Sequence, residues 1–393
     1  MKLTEREHCT GCGACMEICP KQAISFQTDD EGFPFPLIDE NSCIECGQCG
    51  RVCPAVNFPA SSELRAAYAA QTKDREMLEK STSGGVFSAF AREIFKRNGI
   101  VYGCVWDQVY NAVIIAAENE SGLDAMHGSK YVWSWAGATF PEIKKYLTDG
   151  RIVLFFGLAC QVAGLKKYLG KDYENLYLAS FFCGGTPSPL ALKEYVKSIS
   201  TPDTIKDLKL NFRDKRYGGV GVHVTYTGKN GRQINQSLIQ NSYYFAFYSK
   251  VFNRRSCYSC QYRYKQRVED ITIGDYWGVG KYHQEFDVKA GVSALLINTD
   301  KGEELLNAIR DEIHLSETKA ENIAPENNLT LSDNKVVYPY VSYRDGFFNA
   351  LRNSGWKKAE RKYLILNEKR IKLWIKWKIP LKYRNEIKRL FKR

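Results

Sequence analysis

"CTGCGACMEICP", residues 9–20, is answered by "CIECGQCGRVCP", residues 43–54, and both spell C-x2-C-x2-C-x3-C-P. This is the ligand spacing of paired 4Fe-4S clusters: three close thiolates wrap one face of a cube, while the fourth crosses to the other cluster. Cys9, Cys12, Cys15 and Cys53 are therefore expected to form one set, and Cys43, Cys46, Cys49 and Cys19 the other. Gly11, Gly13 and Gly47 let the backbone curl so that N–H groups face the sulfurs. A pair of zinc sites needs only four thiolates each, with looser spacing and without Pro20 and Pro54, so two clusters are the stronger reading. Two such clusters in succession make a short electron wire, each carrying one electron at a time.

Residues 1–60 thus read as a two-cluster ferredoxin domain, and a chain of 393 residues has room for one or two more domains. Apolar residues are 44% and charged residues 25%, which excludes a wholly disordered or fibrous chain. No apolar run reaches the roughly 18 residues of a membrane span, and the N-terminus opens with charges and cysteines where a secretory signal needs an apolar stretch. The expectation is a cytoplasmic protein, in which thirteen cysteines act as metal ligands or redox groups rather than structural disulfides.

After "NFPASSE", residues 57–63, which reads as a linker, apolar strands alternate with helix-like stretches. "AAYAAQTKD", "IVYGCVWD", "AVIIAAEN", "ITIGDYWG" and "GVSALLINT" read as strands, and "RIVLFFG", apolar throughout, as a central one. "STSGGVFSAFAREIFKRNG", residues 81–99, and "DKGEELLNAIRDEI" read as helices. The alternation is irregular, so the expected class is α+β: a mixed α/β body fused to the small two-cluster module. The Ser/Thr/Gly turn at residues 81–85 is of the kind that presents N–H groups to a phosphate, although alone it reads better as a plain helix cap.

"STSGGVFSAF", "GSKYVWS" (128–134), "GLACQVAGLKKYL" (157–169), "CGGTPSP" (183–189) and "SCYSC...DITIGDYWG" (256–278) occur in an order and spacing that resemble the beta subunit family of coenzyme F₄₂₀-reducing hydrogenases and dehydrogenases, which also includes 7-hydroxymethyl chlorophyll a reductase. The resemblance covers residues 64 to about 325. It implies an FAD-binding mixed-sheet body, with residues 61–150 as a flavin-binding part and 151–330 as a C-terminal part holding a third cluster. Ser83, Gly84 and Gly85 would lie at the flavin phosphates, and Lys130, Asp275 and Trp277 would position flavin or substrate. Each also has an ordinary reading: a cap turn, an exposed lysine, a strand-end aspartate and a core tryptophan.

Eight cysteines belong to the repeats, and four of the other five lie in these motifs, so Cys160, Cys183, Cys257 and Cys260 are implied as the third set. A structural zinc would suit four thiolates as well; a 4Fe-4S cluster fits better beside two clusters and a flavin, and a Cys257–Cys260 disulfide fits worst. Cys104, in "YGCVW", reads as a structural thiol. The chain departs from the family in having Leu158 and Ala159 before Cys160 where Thr-Pro is usual, and Gly184 after Cys183 where His is usual. Redox potential, proton delivery or substrate are therefore expected to differ. The implied function is an iron-sulfur flavoprotein oxidoreductase exchanging electrons between a one-electron partner, such as ferredoxin or a partner enzyme, and a two-electron substrate; the rival readings are a non-catalytic electron-transfer subunit and a scaffold.

Residues 352–393 hold 16 Lys/Arg and 3 Asp/Glu, against 40 and 41 in the rest of the chain, so the basic character is confined to this end. "IKLWIKWKI" and the stripe Tyr383, Ile387, Leu390, Phe391 suit an anionic membrane surface, which would hold the protein peripherally on its inner face, with residues 331–393 as a basic amphipathic tail. Nucleic acid ranks lower because nothing else in the chain reads bases.

Overall fold

A computed structural model describes residues 3–201, 203–205, 208–217, 223–237, 240–263, 267–324 and 341–365. Each cysteine repeat closes on a one-turn helix, α1 (Ala14–Glu17) in the first and α2 (Gln48–Arg51) in the second. Both helices start from a left-handed glycine, Gly13 at φ 91° and Gly47 at φ 74°, where a side chain would be strained. Between the repeats runs an antiparallel hairpin, β1 (Ile24–Thr28) and β2 (Pro34–Ile38).

The body is a nine-stranded mixed sheet. In chain order its strands are β3 (Ala66–Thr72), β4 (Ile100–Trp106), β5 (Ala112–Ala117), β6 (Ser134–Trp135), β7 (Val153–Gly157) and β8 (Leu176–Phe181). After a separate hairpin of β9 (His223–Thr227) and β10 (Gln233–Ser237) come β11 (Ile271–Asp275), β12 (Ser293–Ile297) and β13 (Ile313–Thr318). The spatial order is β13-β3-β12-β11-β8-β7-β4-β5-β6. The β11-β8-β7-β4 centre is parallel and is flanked by antiparallel pairs. "RIVLFFG" supplies β7, between two parallel neighbours, which is why it is apolar on both faces.

Helices cover both faces. α3 (Arg75–Lys80), α4 (Val86–Lys96) and α5 (Glu120–Met126) lie on one side, where Phe90, Ile94 and Leu123 meet Val101, Leu154 and Leu295. The expected 81–99 helix therefore begins only at Val86, because residues 81–85 are a turn pinned to the sheet. α6 (Phe140–Thr148) and α7 (Ala159–Leu169) lie on the other side, where Ile143, Val162 and Leu165 meet Ile100, Val153 and Phe155. α8 (Pro189–Ile199) and α9 (Ser242–Ser249) build a second, aromatic core; α10 (Asp300–Ala308) and one-turn α11 (Ala320–Ile323) follow, and then α12 (Arg344–Glu360).

α12 corrects the tail expectation for its own residues. Phe347, Phe348, Leu351, Trp356 and Ala359 are buried with Tyr195, Tyr243 and Phe252, and Trp356 Nε1 donates to Ser242 Oγ at 3.0 Å. Burial of these five apolar side chains outweighs the charges around them, so residues 344–364 are part of the core. "IKLWIKWKI" and the stripe after Pro380 lie outside the described residues. Among the described residues no helix is long and apolar enough to cross a membrane.

Candidate redox sites

The repeat cysteines lie close together. Cys12 has Cys9 and Cys53 as neighbouring thiols, and Cys15 has Cys12, Cys9 and Cys53, with Cys49 next. Cys49 has Cys19 and Cys43 beside it, and Cys19, Cys43, Cys46 and Cys49 line one open recess. The first set faces inward, with Cys9 and Cys12 buried; the second faces outward, with Cys46 exposed.

The inner set fits an iron-sulfur core. Burial pushes the Cys12 thiol up to about 12 and raises Cys15 too, with the neighbouring thiolates adding to both. Thiols crowded in this way ionise only around a strongly positive centre, such as a metal cluster. Two buried donors border the set without a hydrogen-bond partner among the described residues: the Tyr262 hydroxyl, which has the thiols of Cys160, Cys12, Cys260 and Cys53 as neighbours, and Arg254 Nη1. Cluster sulfides accept such donors.

Behind the inner set, four thiols from distant parts of the chain converge. Cys160, on the first turn of α7, is surrounded by Cys260, Cys183 and Cys257, and then by Cys12 of the inner set. Burial first, and then the neighbouring thiolates, push Cys183 up to about 12 and Cys260 to about 11. The Gly185 N–H donates to Cys183 Sγ at 3.4 Å and the Thr186 N–H to Cys257 Sγ at 3.4 Å. Among the described residues no three His, Cys, Asp or Glu stand at the spacing of ligands to a single ion.

Gly164 joins the inner and third sets. One turn along α7 from Cys160, it is so close to the module that a Cβ there would lie 2.7 Å from Cys12 Cβ and 2.8 Å from Cys12 Sγ. The module is also keyed in at its hairpin. Glu31, buried, accepts from both terminal nitrogens of Arg344 and from Arg255 Nη2 at 2.8 Å, and the Ser188 hydroxyl donates to the Glu31 carbonyl at 2.5 Å. Lys250, not singled out from sequence, is buried beside the third set. A Cβ on Gly184 would lie 2.7 Å from its Nζ, so the amine takes space opened where the resembled family carries histidine. Burial lowers its pKa to about 8, opposed by Cys183 and Cys257.

The expected flavin and substrate residues fall in two groups. Asp275, at the end of β11, accepts from Arg213 Nη1 at 2.9 Å and Nη2 at 3.3 Å, and the Arg213 guanidinium lies 5.5 Å from the centre of the Trp277 ring. Arg213 also reaches the Tyr131 hydroxyl at 3.4 Å, and Lys215 Nζ donates to the Ser83 carbonyl at 2.7 Å. The segment from Arg213 to Lys215 thereby gathers the turn at 81–85, "GSKYVWS" and "GDYWG". Lys130 sits apart as a helix-end cap: its Nζ donates to the carbonyls of Met126 at 2.9 Å and His127 at 2.7 Å, with Ala125 and Gly128 also in reach. Ser83 Oγ donates to the Val292 carbonyl and the Gly84 N–H to Ser293 Oγ, both at 3.0 Å. A Cβ on Gly84 would lie 2.3 Å from the Ala70 carbonyl oxygen, so this glycine is required by packing between β3 and β12. Gly85, at φ 78°, is the N-cap of α4. Arg213, Lys215, Lys250 and Arg254 were not singled out from sequence, and only the basic run "NRRSC" ahead of Cys257 hints at any of them.

Residues 8–57 match the 4Fe-4S dicluster domain, and residues 150–322 match the family described as the C terminus of the coenzyme F₄₂₀ hydrogenase/dehydrogenase beta subunit. The chain is 26% identical over 269 residues to F420-dependent formate dehydrogenase 1 subunit beta of Methanococcus maripaludis, covering 65% of this chain and 62% of that protein. It is 24% identical over 320 residues to coenzyme F420-dependent sulfite reductase of Methanocaldococcus jannaschii, covering 79% and 47%. It thus spans about half to under two thirds of the length of these curated relatives. A solved structure of the F420-reducing [NiFe] hydrogenase complex from Methanosarcina barkeri has a chain that aligns at TM-score 0.47 and 16% identity, over 76% of this chain and 96% of that one. The chain is thus similar over residues 150–322 to the C terminus of the coenzyme F₄₂₀ hydrogenase/dehydrogenase beta subunit, with a match to the 4Fe-4S dicluster domain at residues 8–57 ahead of it.

Proposed function

We propose that this chain is an iron-sulfur flavoprotein oxidoreductase subunit linking a one-electron protein partner at the outer cysteine set to a two-electron substrate near Arg213, Asp275 and Trp277. The observation that carries this reading is the close approach of Cys12 to Gly164 on the helix bearing Cys160, which supports an electron path from the module into the body. In this reading Cys160, Cys183, Cys257 and Cys260 hold a third 4Fe-4S cluster. FAD, when bound, exchanges electrons singly or in pairs, which is the chemistry needed between clusters and an organic substrate.

Support for the flavin lies in the family and in the gathering of three motifs by Arg213 and Lys215. Residues 61–150 and 151–330 share its binding, with the free N–H groups opening α4 toward the phosphates. Both curated relatives are named for dependence on F₄₂₀, which makes it the first two-electron substrate to test. One relative is a subunit beta, and a partner enzyme subunit is the matching expectation here. The protein works on the cytoplasmic side, where its basic end beyond residue 365 contacts an anionic membrane surface.

Anaerobic purification followed by iron, sulfide, zinc and flavin analysis tests the whole reading. About twelve iron atoms and one FAD per chain are expected, four iron atoms for each set of four thiolates. About eight iron atoms with one zinc would overturn the third cluster, and absence of flavin would overturn the two-electron half.

A further inference from the structure

Arg254 is among the largest side chains that are fully buried, at 1% exposed. Among the described residues no carboxylate pairs with it. Its Nε donates to the Cys9 carbonyl at 2.7 Å, and its Nη2 donates to the Pro34 carbonyl at 2.9 Å and reaches Cys9 Sγ at 3.6 Å. The guanidinium is flanked by aromatic rings, 4.1 Å from the centre of Phe35 and 5.4 Å from that of Phe33. Nη1 has no hydrogen-bond partner among the described residues, and a Cβ on Gly11 would lie 3.2 Å from it. A permanently charged group is therefore buried at the wall of the inner set with a donor left over.

A buried cation without a counter-anion is costly, and aromatic faces recover only a small part of that cost. Four thiolates around an iron-sulfur core carry the missing negative charge, and reduction by one electron adds one more. The backbone of the same residue is tied to the third set: its N–H donates to the Thr186 carbonyl at 2.9 Å, and its carbonyl accepts the Cys257 N–H at 3.0 Å. Thr186 is the residue whose N–H and hydroxyl both bond Cys257 Sγ.

We propose that Arg254 is a positioning residue whose guanidinium holds the reduction potential of the inner cluster above that of the outer one, making the inner cluster the preferred electron site of the pair. A fixed positive charge and an N–H donor at a cluster sulfur both favour the more negative, reduced state. At the outer set Arg51 Nη1 donates to the Cys46 carbonyl at 3.1 Å, but Arg51 is exposed and its charge is screened by water, and the Ala23 N–H donates to Cys19 Sγ at 3.3 Å. This inference rests on reading Cys9, Cys12, Cys15 and Cys53 as cluster ligands.

The test is an anaerobic redox titration of the full-length, cluster-loaded protein followed by electron paramagnetic resonance, for the parent, Arg254→Gln, Arg254→Lys and Phe33→Leu. Iron and sulfide content of the parent checks the underlying reading first: fewer than two clusters in the module would sink that reading and not the role of Arg254 alone. With the clusters present, Arg254→Gln is expected to lower the potential of one centre and leave the others in place. Arg254→Lys should restore most of that shift, and Phe33→Leu, which thins the same packing without changing charge, should cause none. If Arg254→Gln fails to accumulate, Arg254→Met at low temperature replaces it. Equal potentials in the neutral and charged variants, or the same shift in Phe33→Leu, would overturn the proposal.

Discussion

The two cysteine repeats are almost the same sentence written twice, yet they end in different surroundings. The inner set has Cys9 and Cys12 buried and none of its cysteines exposed, and it is walled by Arg254 and Tyr262 and pressed against α7; the outer set buries Cys49 but opens to solvent through Cys46 in a recess lined by Ile24, Ile38 and Ile44. The repeat therefore specifies ligation, and the body specifies which set communicates inward. Burial and fixed charge, rather than ligand identity, are what distinguish such sites.

The sharpest way to break this comparison is to make the same change in both sets. Cys12→Ser is expected to cost about four of about twelve iron atoms and to disconnect the module from the third set, because Cys12 is the thiol in contact with α7. Cys46→Ser should damage the outer set alone and leave the inner and third signals intact. Iron analysis with spectroscopy of each variant decides, and equal effects on all three centres would erase the distinction.

A somewhat smaller effect is expected at the clamp. Arg344→Met leaves Glu31 buried without its bidentate partner, and removing one member of a buried pair costs about 3–5 kcal/mol. Anaerobic denaturant unfolding should show that loss, with module iron retained in the folded fraction. An unchanged midpoint would mean that the hairpin is not held by this pair. Next, Gly164→Ala forces a methyl into Cys12, and overpacking of this kind costs about 1–3 kcal/mol. The inner and third centres should exchange electrons more slowly while the outer centre is unaffected, as rapid-freeze spectroscopy would report.

The smallest change acts far from both sets. Asp74 caps α3 by accepting the Met77 N–H at 3.0 Å and pairs with Arg92 at 2.6 Å, and these contacts hold its carboxyl below the usual range. Because its folded-state pKa is lowered, its stabilisation is present above about pH 4 and is lost as the pH falls through the lowered value. Asp74→Ala should cost about 1 kcal/mol at neutral pH and flatten the acid limb of the stability curve, leaving every potential where it was.

The dicluster module was legible because its cysteine spacing is local, i, i+3 and i+6. The strands β3, β4, β5, β7, β11 and β12 were legible because each is a short apolar run, and "RIVLFFG" announced its central place by lacking a polar face. Arg254, Lys250 and Arg213 were not legible: each is a charged residue that sequence reading assigns to solvent, and each is buried only by contacts made on folding, as when Arg254 reaches back to the Cys9 carbonyl. Lys130 was visible as a residue and opaque as a role, since four backbone carbonyls converge on it only once α5 has ended. The last described helix reads as tail in the sequence because its lysines and arginines outnumber its acids, although Phe347, Phe348 and Trp356 carry the packing. The glycines at 84 and 164 show the same limit, since neighbours that forbid a Cβ are in both cases far away along the chain.

The third set has a temporal side that follows from its scatter between Cys160 and Cys260. On the ribosome both repeats are complete once Cys53 has emerged, and the module can take up its metal while most of the body is still unmade. The third group has no fourth thiol until Cys260 appears, roughly 10–40 s later at 5–20 residues per second. A third cluster at this set, as proposed above, would then be loaded on a chain whose module is already made, before Arg344 emerges to pair with Glu31 of the hairpin. Maturation is thus ordered by the sequence itself, from the outside of the wire inward.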